Sequence, residues 1–218
     1  GVTLAVALYA LAVALTNTGA AAEALPWAHR GVDVAAHCGD EGAHIEALSV
    51  CAAVELSLCW SPRALTMLER SVALAVASGR SAKAGAAWVN LASVSLAHAR
   101  YPELLVAAAE GLDYCRSHDL DFAVASLHVR RALALVELGR WPEADAEIAA
   151  LRDAAAATAR DQATAALMSA RLATLRGSAN DAAAWQQRLE EAAAGATEFL
   201  AADVAGYAAE AAWLRGDR

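Results

Sequence analysis

Lysine is almost missing from this chain. Of its 17 basic residues only Lys83 is a lysine, and the 25 acidic residues leave a net charge of −8. A polyanion or an anionic membrane surface is repelled by such a segment on average, which excludes direct nucleic-acid binding as its role. Proline is nearly as scarce, with four copies in 218 residues, and aromatic residues make up 6%. The four cysteines, Cys38, Cys51, Cys59 and Cys115, include no C-x-x-C pair. Cys51 and Cys59 fall along one predicted helix and just past its end, too far apart to bridge. They read as reduced, small apolar side chains of a cytoplasmic protein. No apolar run reaches the ~20 residues of a membrane span. The opening run ends by Leu15, and no basic segment precedes it as a secretory signal requires. No G-x-x-x-x-G-K-[ST] loop occurs. Gly79-Arg80-Ser81-Ala82-Lys83 lacks the spacing and follows a helix rather than a strand. Its faint echo of a DNA-binding helix pair is accounted for by the repeat described next.

Alanine dominates what remains, at 63 residues, and it has the best helix propensity, so the chain reads as all-α. The stretch Gly139-Arg140-Trp141-Pro142-Glu143-Ala144 is a turn between antiparallel helices. Gly139 ends one helix, Pro142 starts the next, and Glu143 suits its positive N-terminus. This turn recurs at 40-residue intervals. Ala24, Ala64, Leu104 and Ala144 form one series, Gly19, Cys59, Ala99 and Gly139 another, and Pro62, Pro102 and Pro142 a third. Turns between pairs follow the same interval at Gly39, Gly79 and Asp119. A register held over four copies predicts a stacked helical array. The predicted helices are 3–18, 21–37, 42–58, 62–78, 82–98, 102–118, 121–138, 142–157, 160–176, 181–195 and 199–215, with the register slipping after 157. Ala12, Ala52, Ala92 and Ala132 are small where a partner helix passes close. Gly31, Ser71 and Gly111 form a second small series. Leu8, Leu48, Trp88, Leu91, Trp141 and Ile148 are expected to fill the space between helices. The whole of 1–218 reads as one array, cut from a longer protein and open at both ends.

Several polar groups invite a chemical reading. His37, Cys38 and His44 flank one turn and include metal-ligand types. A helix-ending histidine beside a solvated turn is the ordinary account, and no metal site is assigned. Glu190 and Glu191 are adjacent on a helix, so their side chains diverge and make no acid–base pair. The six tryptophans fall mostly at helix ends and packing positions. His128 and Arg131 occupy positions that are apolar in earlier repeats, so the fourth pair is rotated or carries a polar contact there. Arg130-Arg131 reads as a solvated or internally paired face. No catalytic constellation is legible and no cofactor is implied, so the chain is not read as an enzyme.

Trp88-x-x-Leu91-Ala92 resembles the first-helix signature of tetratricopeptide repeats, with Ala for the usual Gly. Gly139-x-Trp141-x-Glu143-Ala144-x-x-x-Ile148 resembles their turn and second helix. The period near 40 exceeds the usual 34, and the helix-ending proline is missing. This longer form resembles the repeat arrays of large bacterial ATP-dependent transcriptional regulators of the LuxR type. Residues 111–121 and 209–216 are similar to segments of those arrays. The resemblance implies a right-handed α-α superhelix of helical hairpins. It also implies a protein-interaction and sensing role, with a signal-transducing ATPase and a helix-turn-helix elsewhere in the full-length chain. In that register the inward-facing groove positions are Tyr9, Val13, Ser49, Ala53, Leu56, Val89, Ser93, Leu96, Val129, Leu133 and Val136. The stripe is mainly apolar with a few hydroxyls, suited to a protein or peptide segment or a small effector. A tightly wound superhelix would fill it instead. A stand-alone scaffold without ATPase or DNA-binding domains is the alternative role.

Overall fold

The computed structural model describes residues 1–153 and 159–178, together with 184, 187, 205, 206, 209, 210, 212 and 213. The predicted helices 181–195 and 199–215, with Trp185, Glu190 and Glu191, lie largely or wholly outside the described residues. Among the described residues there are nine helices and no strand. They are α1 (Val2–Asn17), α2 (Ala21–Cys38), α3 (Glu41–Leu58), α4 (Pro62–Ala77), α5 (Ser81–Ala97), α6 (Tyr101–Ser117), α7 (Asp121–Glu137), α8 (Trp141–Asp153) and α9 (Ala159–Leu175). First helices thus begin at Glu41, Ser81 and Asp121. The chain divides into two compact units, Gly1–Ala123 and Val124–Arg218.

Turn chemistry sets these boundaries. Gly19, Gly39, Gly79 and Gly139 all have positive φ, and Ala99 and Asp119 take the same conformation at φ 53°. Ala99 carries a Cβ there, a position where glycine would be less strained. Cys59 departs from its series with φ −160°, and the turn it opens is closed by Ser61 and Pro62. Ser61 Oγ accepts a 3.3 Å hydrogen bond from the Ala64 N–H, and Asp40 Oδ1 accepts one of 2.7 Å from the Ala43 N–H. Both satisfy a donor that the first helical turn leaves open. Pro26 lies within α2 and removes one intrahelical bond without ending the helix.

Within the first unit each helix packs on the next, and the first helices also pack on one another, α1 on α3 and α3 on α5. The second helices stand farther apart: among the described residues the backbones of α2 and α4, and of α4 and α6, make no close approach. Small residues allow the close pairings. Ala12, Ala52, Ala92 and Ala132 are all fully buried. A Cβ on Gly31 would stand 3.6 Å from Leu8 Cβ and from the Tyr9 nitrogen, so α1 and α2 cross there at van der Waals distance. Ser71, in the same small series, donates a 3.0 Å hydrogen bond to the Ile45 carbonyl of α3. Leu8, Leu48, Leu91 and Ile148 are buried, as the repeat register predicts. One core cluster gathers Ala52, Leu56, Leu68, Val72, Leu91 and Val94 from α3, α4 and α5, with Trp60 and Trp88 packed against it. α1 presents Val2, Leu4, Val6, Leu11 and Val13 as exposed apolar side chains.

In the second unit, His128 and Arg131 carry a polar contact, one of the two outcomes the sequence left open. The Glu147 carboxylate of α8 meets His128 Nδ1 at 2.5 Å and an Arg131 guanidinium nitrogen at 3.2 Å. Arg130 donates to the Ser126 carbonyl within α7, so both arginines are held internally. Arg171 of α9 pairs with Glu137 and Glu210, and Arg176 pairs with Asp145 at 2.6 Å.

Candidate functional site

The splay of the second helices leaves a cleft on their side of the first unit. Its walls are α4 and α6, and its floor is α5. The cavity encloses about 760 Å³ and is lined mainly by Leu65, Val72, Ala73, Val76, Leu91, Val106 and Ala107 with Trp60 and Trp88. Val106 is 61% exposed. Small side chains at Ala73, Ala77 and Ala107 keep the walls from closing on each other.

One end of the cleft is built from two turns. Trp60 projects from the α3–α4 turn and is held by two residues of the α5–α6 turn. His98 stands edge-on to it at 5.1 Å, and the Arg100 guanidinium lies over its ring at 4.9 Å. His98 is fixed in turn by a 2.7 Å hydrogen bond between Nε2 and the Leu56 carbonyl. Arg100 pairs with Glu103, so its charge is neutralised inside the lining. Two further carboxylates line the cleft, Glu69 from α4 and Glu110 from α6. Neither forms an ion pair among the described residues. The Trp88 indole nitrogen is buried without a hydrogen-bond partner.

This cleft faces away from the stripe predicted on the first helices. In the first unit Ser49 and Leu56 of that stripe are buried, while Tyr9, Val13, Ala53, Val89, Ser93 and Leu96 keep some exposure. Leu56 belongs to the core. Ser49 accepts a hydrogen bond from Asn90 at 2.9 Å, and Ser93 donates to the Val89 carbonyl of its own helix. The Tyr9 hydroxyl donates to Glu46 at 2.7 Å, and Lys83 meets the same carboxylate at 2.6 Å. Burial alone would raise the Glu46 pKa, but the hydrogen bonds from Lys83 and Tyr9 outweigh it and the carboxyl titrates below its ordinary range. In the second unit Val136 is buried, and Val129 and Leu133 are half-buried.

No protein-family model matches the sequence, and no curated protein matches it either. The side chains themselves therefore carry the chemical reading. His37, Cys38 and His44 are not drawn together. His37 Nδ1 bonds the Asp33 carbonyl at 2.7 Å, and His44 is held neutral to lower pH by burial and by the nearby charge of Arg70. A different trio does assemble, His29 of α2 with Cys51 and Glu55 of α3. Cys51 and Glu55 are one helical turn apart on a single face, a spacing that was available in the sequence. Their partner, 22 residues upstream on another helix, was not. His29 Nδ1 stands 3.6 Å from Cys51 Sγ, and its Nε2 stands 3.2 Å from Glu55. The two ring nitrogens point to different partners, so the arrangement is a hydrogen-bonded chain rather than three donors converging on one ion.

That chain does not activate the thiol. Burial pushes the Cys51 pKa up to about 12 and that of Cys115 up to about 11, and a protonated buried thiol is inert. All four cysteines are free, with Cys59 exposed. In the folded protein iodoacetamide is expected to alkylate Cys59 at least about a hundredfold faster than Cys51 at pH 8. Urea should erase the difference. Peptide mapping by mass spectrometry reads both rates, and rapid labelling of folded Cys51 would show that the histidine is activating it.

Proposed function

We propose that this chain is the protein-interaction and sensing segment of a bacterial LuxR-type ATP-dependent transcriptional regulator, acting in the cytoplasm. Its effector enters the cleft between α4 and α6. The α-helical array and the resemblance of residues 88–92 and 139–148 to tetratricopeptide repeats support the segment's role. The single observation that carries the effector site is the 760 Å³ apolar cleft with two tryptophans in its lining. That volume lies within the ~300–1,000 Å³ range of small-molecule sites, which are mostly apolar with a few polar groups. A partner protein would use the accessible members of the first-helix stripe, Val89, Ser93 and Leu96 among them. The ATPase and the helix-turn-helix would lie elsewhere in the full-length chain.

A thermal-shift screen of this chain against a small-molecule library tests the effector site. Hits are expected to raise the unfolding temperature and to lose their effect in Ala73→Trp, where an exposed wall residue becomes large enough to occupy the cleft. Hits that stabilise Ala73→Trp equally would place the binding elsewhere and overturn the assignment. The alternative, a stand-alone scaffold, is separated by the full-length gene, since the regulator requires an upstream P-loop and a downstream helix-turn-helix.

A further inference from the structure

We propose that the α4–α6 cleft selects an apolar organic cation; this rests on reading the cleft as an effector site and names its ligand class. Charge is placed at the edge of an apolar cavity, since Glu69 and Glu110 both line it and both are exposed. The lining holds one basic residue, Arg100, and its charge is already met by Glu103 and by the face of Trp60. Glu69 and Glu110 remain without ion pairs among the described residues and leave the lining with an uncompensated negative charge.

Their positions are matched. α4 and α6 are alternate members of an antiparallel series and run in the same direction. Across the 40-residue interval Glu110 falls at the place of Arg70, an exposed residue outside the lining and one position from Glu69. The two carboxylates therefore belong to the same level of opposite walls, midway along helices that begin at Pro62 and Tyr101. Val72, Val76 and Val106 continue the walls from there. A ligand with a buried apolar body and a single positive charge meets both features. An anion of the same shape meets the same walls and is repelled by the carboxylates. Arg100, stacked on Trp60 and paired with Glu103, is an internal example of the same recognition: a cation between an aromatic face and a carboxylate.

Tetraphenylphosphonium and tetraphenylborate test this, because they share shape and differ in the sign of charge. Equilibrium dialysis should show the phosphonium binding and the borate binding at least about tenfold more weakly. Glu69→Gln and Glu110→Gln should each weaken phosphonium binding by about three- to fivefold, the effect of losing one solvent-exposed charged contact. Asp113→Asn, which removes the same charge from α6 outside the cleft, should change it less than about twofold. If both ions bind equally and Ala73→Trp abolishes both, the cleft is a site without charge selection and the cation inference is wrong. If neither binds, or if binding survives Ala73→Trp, the effector cleft fails together with it.

Discussion

Leu56→Asp is expected to unfold the first unit at 25 °C, whereas Val13→Asp, from the same predicted stripe, should shift stability by no more than about 0.5 kcal/mol. The stripe assigned both residues to one inward-facing surface, but they stand in different surroundings. Leu56 is 1% exposed among Leu68, Leu91 and Val94. Val13 is 40% exposed. Truncating a buried leucine to alanine costs about 2–5 kcal/mol through lost transfer energy and the cavity left behind. An aspartate there adds an unpaired charge in an apolar core, which costs several kcal/mol more. Whole domains are stable by only about 5–15 kcal/mol, so that sum suffices. Circular dichroism with urea titration reads both variants. A folded Leu56→Asp protein would mean that this position is open to a groove after all.

Glu147→Ala should cost about 3–5 kcal/mol, as much as the larger core truncations, although it removes no apolar surface. Its carboxylate is the common partner of His128 and Arg131, and His128 is 6% exposed. Losing the acid takes a carboxylate away from an arginine charge and a buried imidazole, and water has little access to replace it. Glu147→Leu combined with His128→Leu and Arg131→Met should recover much of the loss, because replacing all three members of the contact removes the demand along with the supply. Urea denaturation of the three proteins decides it. A Glu147→Ala protein within about 0.5 kcal/mol of the parent would show that the contact is solvated and carries no stability.

The sequence registers its helices closely because each boundary is written in local chemistry. Gly39, Gly79 and Gly139 stop helices, Pro62 and Pro102 start them, and the apolar series between them repeats. Predicted and observed limits agree to within one residue from α1 through α7. Cys59 illustrates what a series misses: an aligned position took an extended backbone because Ser61 and Pro62 supply a different turn beyond it. The cleft was harder to foresee. Repeat register tells which positions face along the array. Whether two second helices meet depends on side-chain volumes at Ala73 and Ala107, read jointly from helices whose backbones stand apart. The matched level of Glu69 and Glu110 was there to be noticed at the 40-residue interval. The His29–Cys51–Glu55 chain was half visible, as Cys51 and Glu55 on one face, but nothing local brings His29 to them.

The way α1, α3 and α5 pack on one another while α2, α4 and α6 stay apart makes the first unit mechanically lopsided. It is like a book with a bound spine and loose pages. Such packing would concentrate stiffness along the row of first helices, about which the second helices could rotate. A molecule seated between α4 and α6 bridges two pages that otherwise communicate through α5 alone. It adds a strut at the largest distance from the hinge line, where a given binding force exerts its greatest torque. On the proposed reading of the cleft as an effector site, its occupancy would be converted into a change of bend within the first unit.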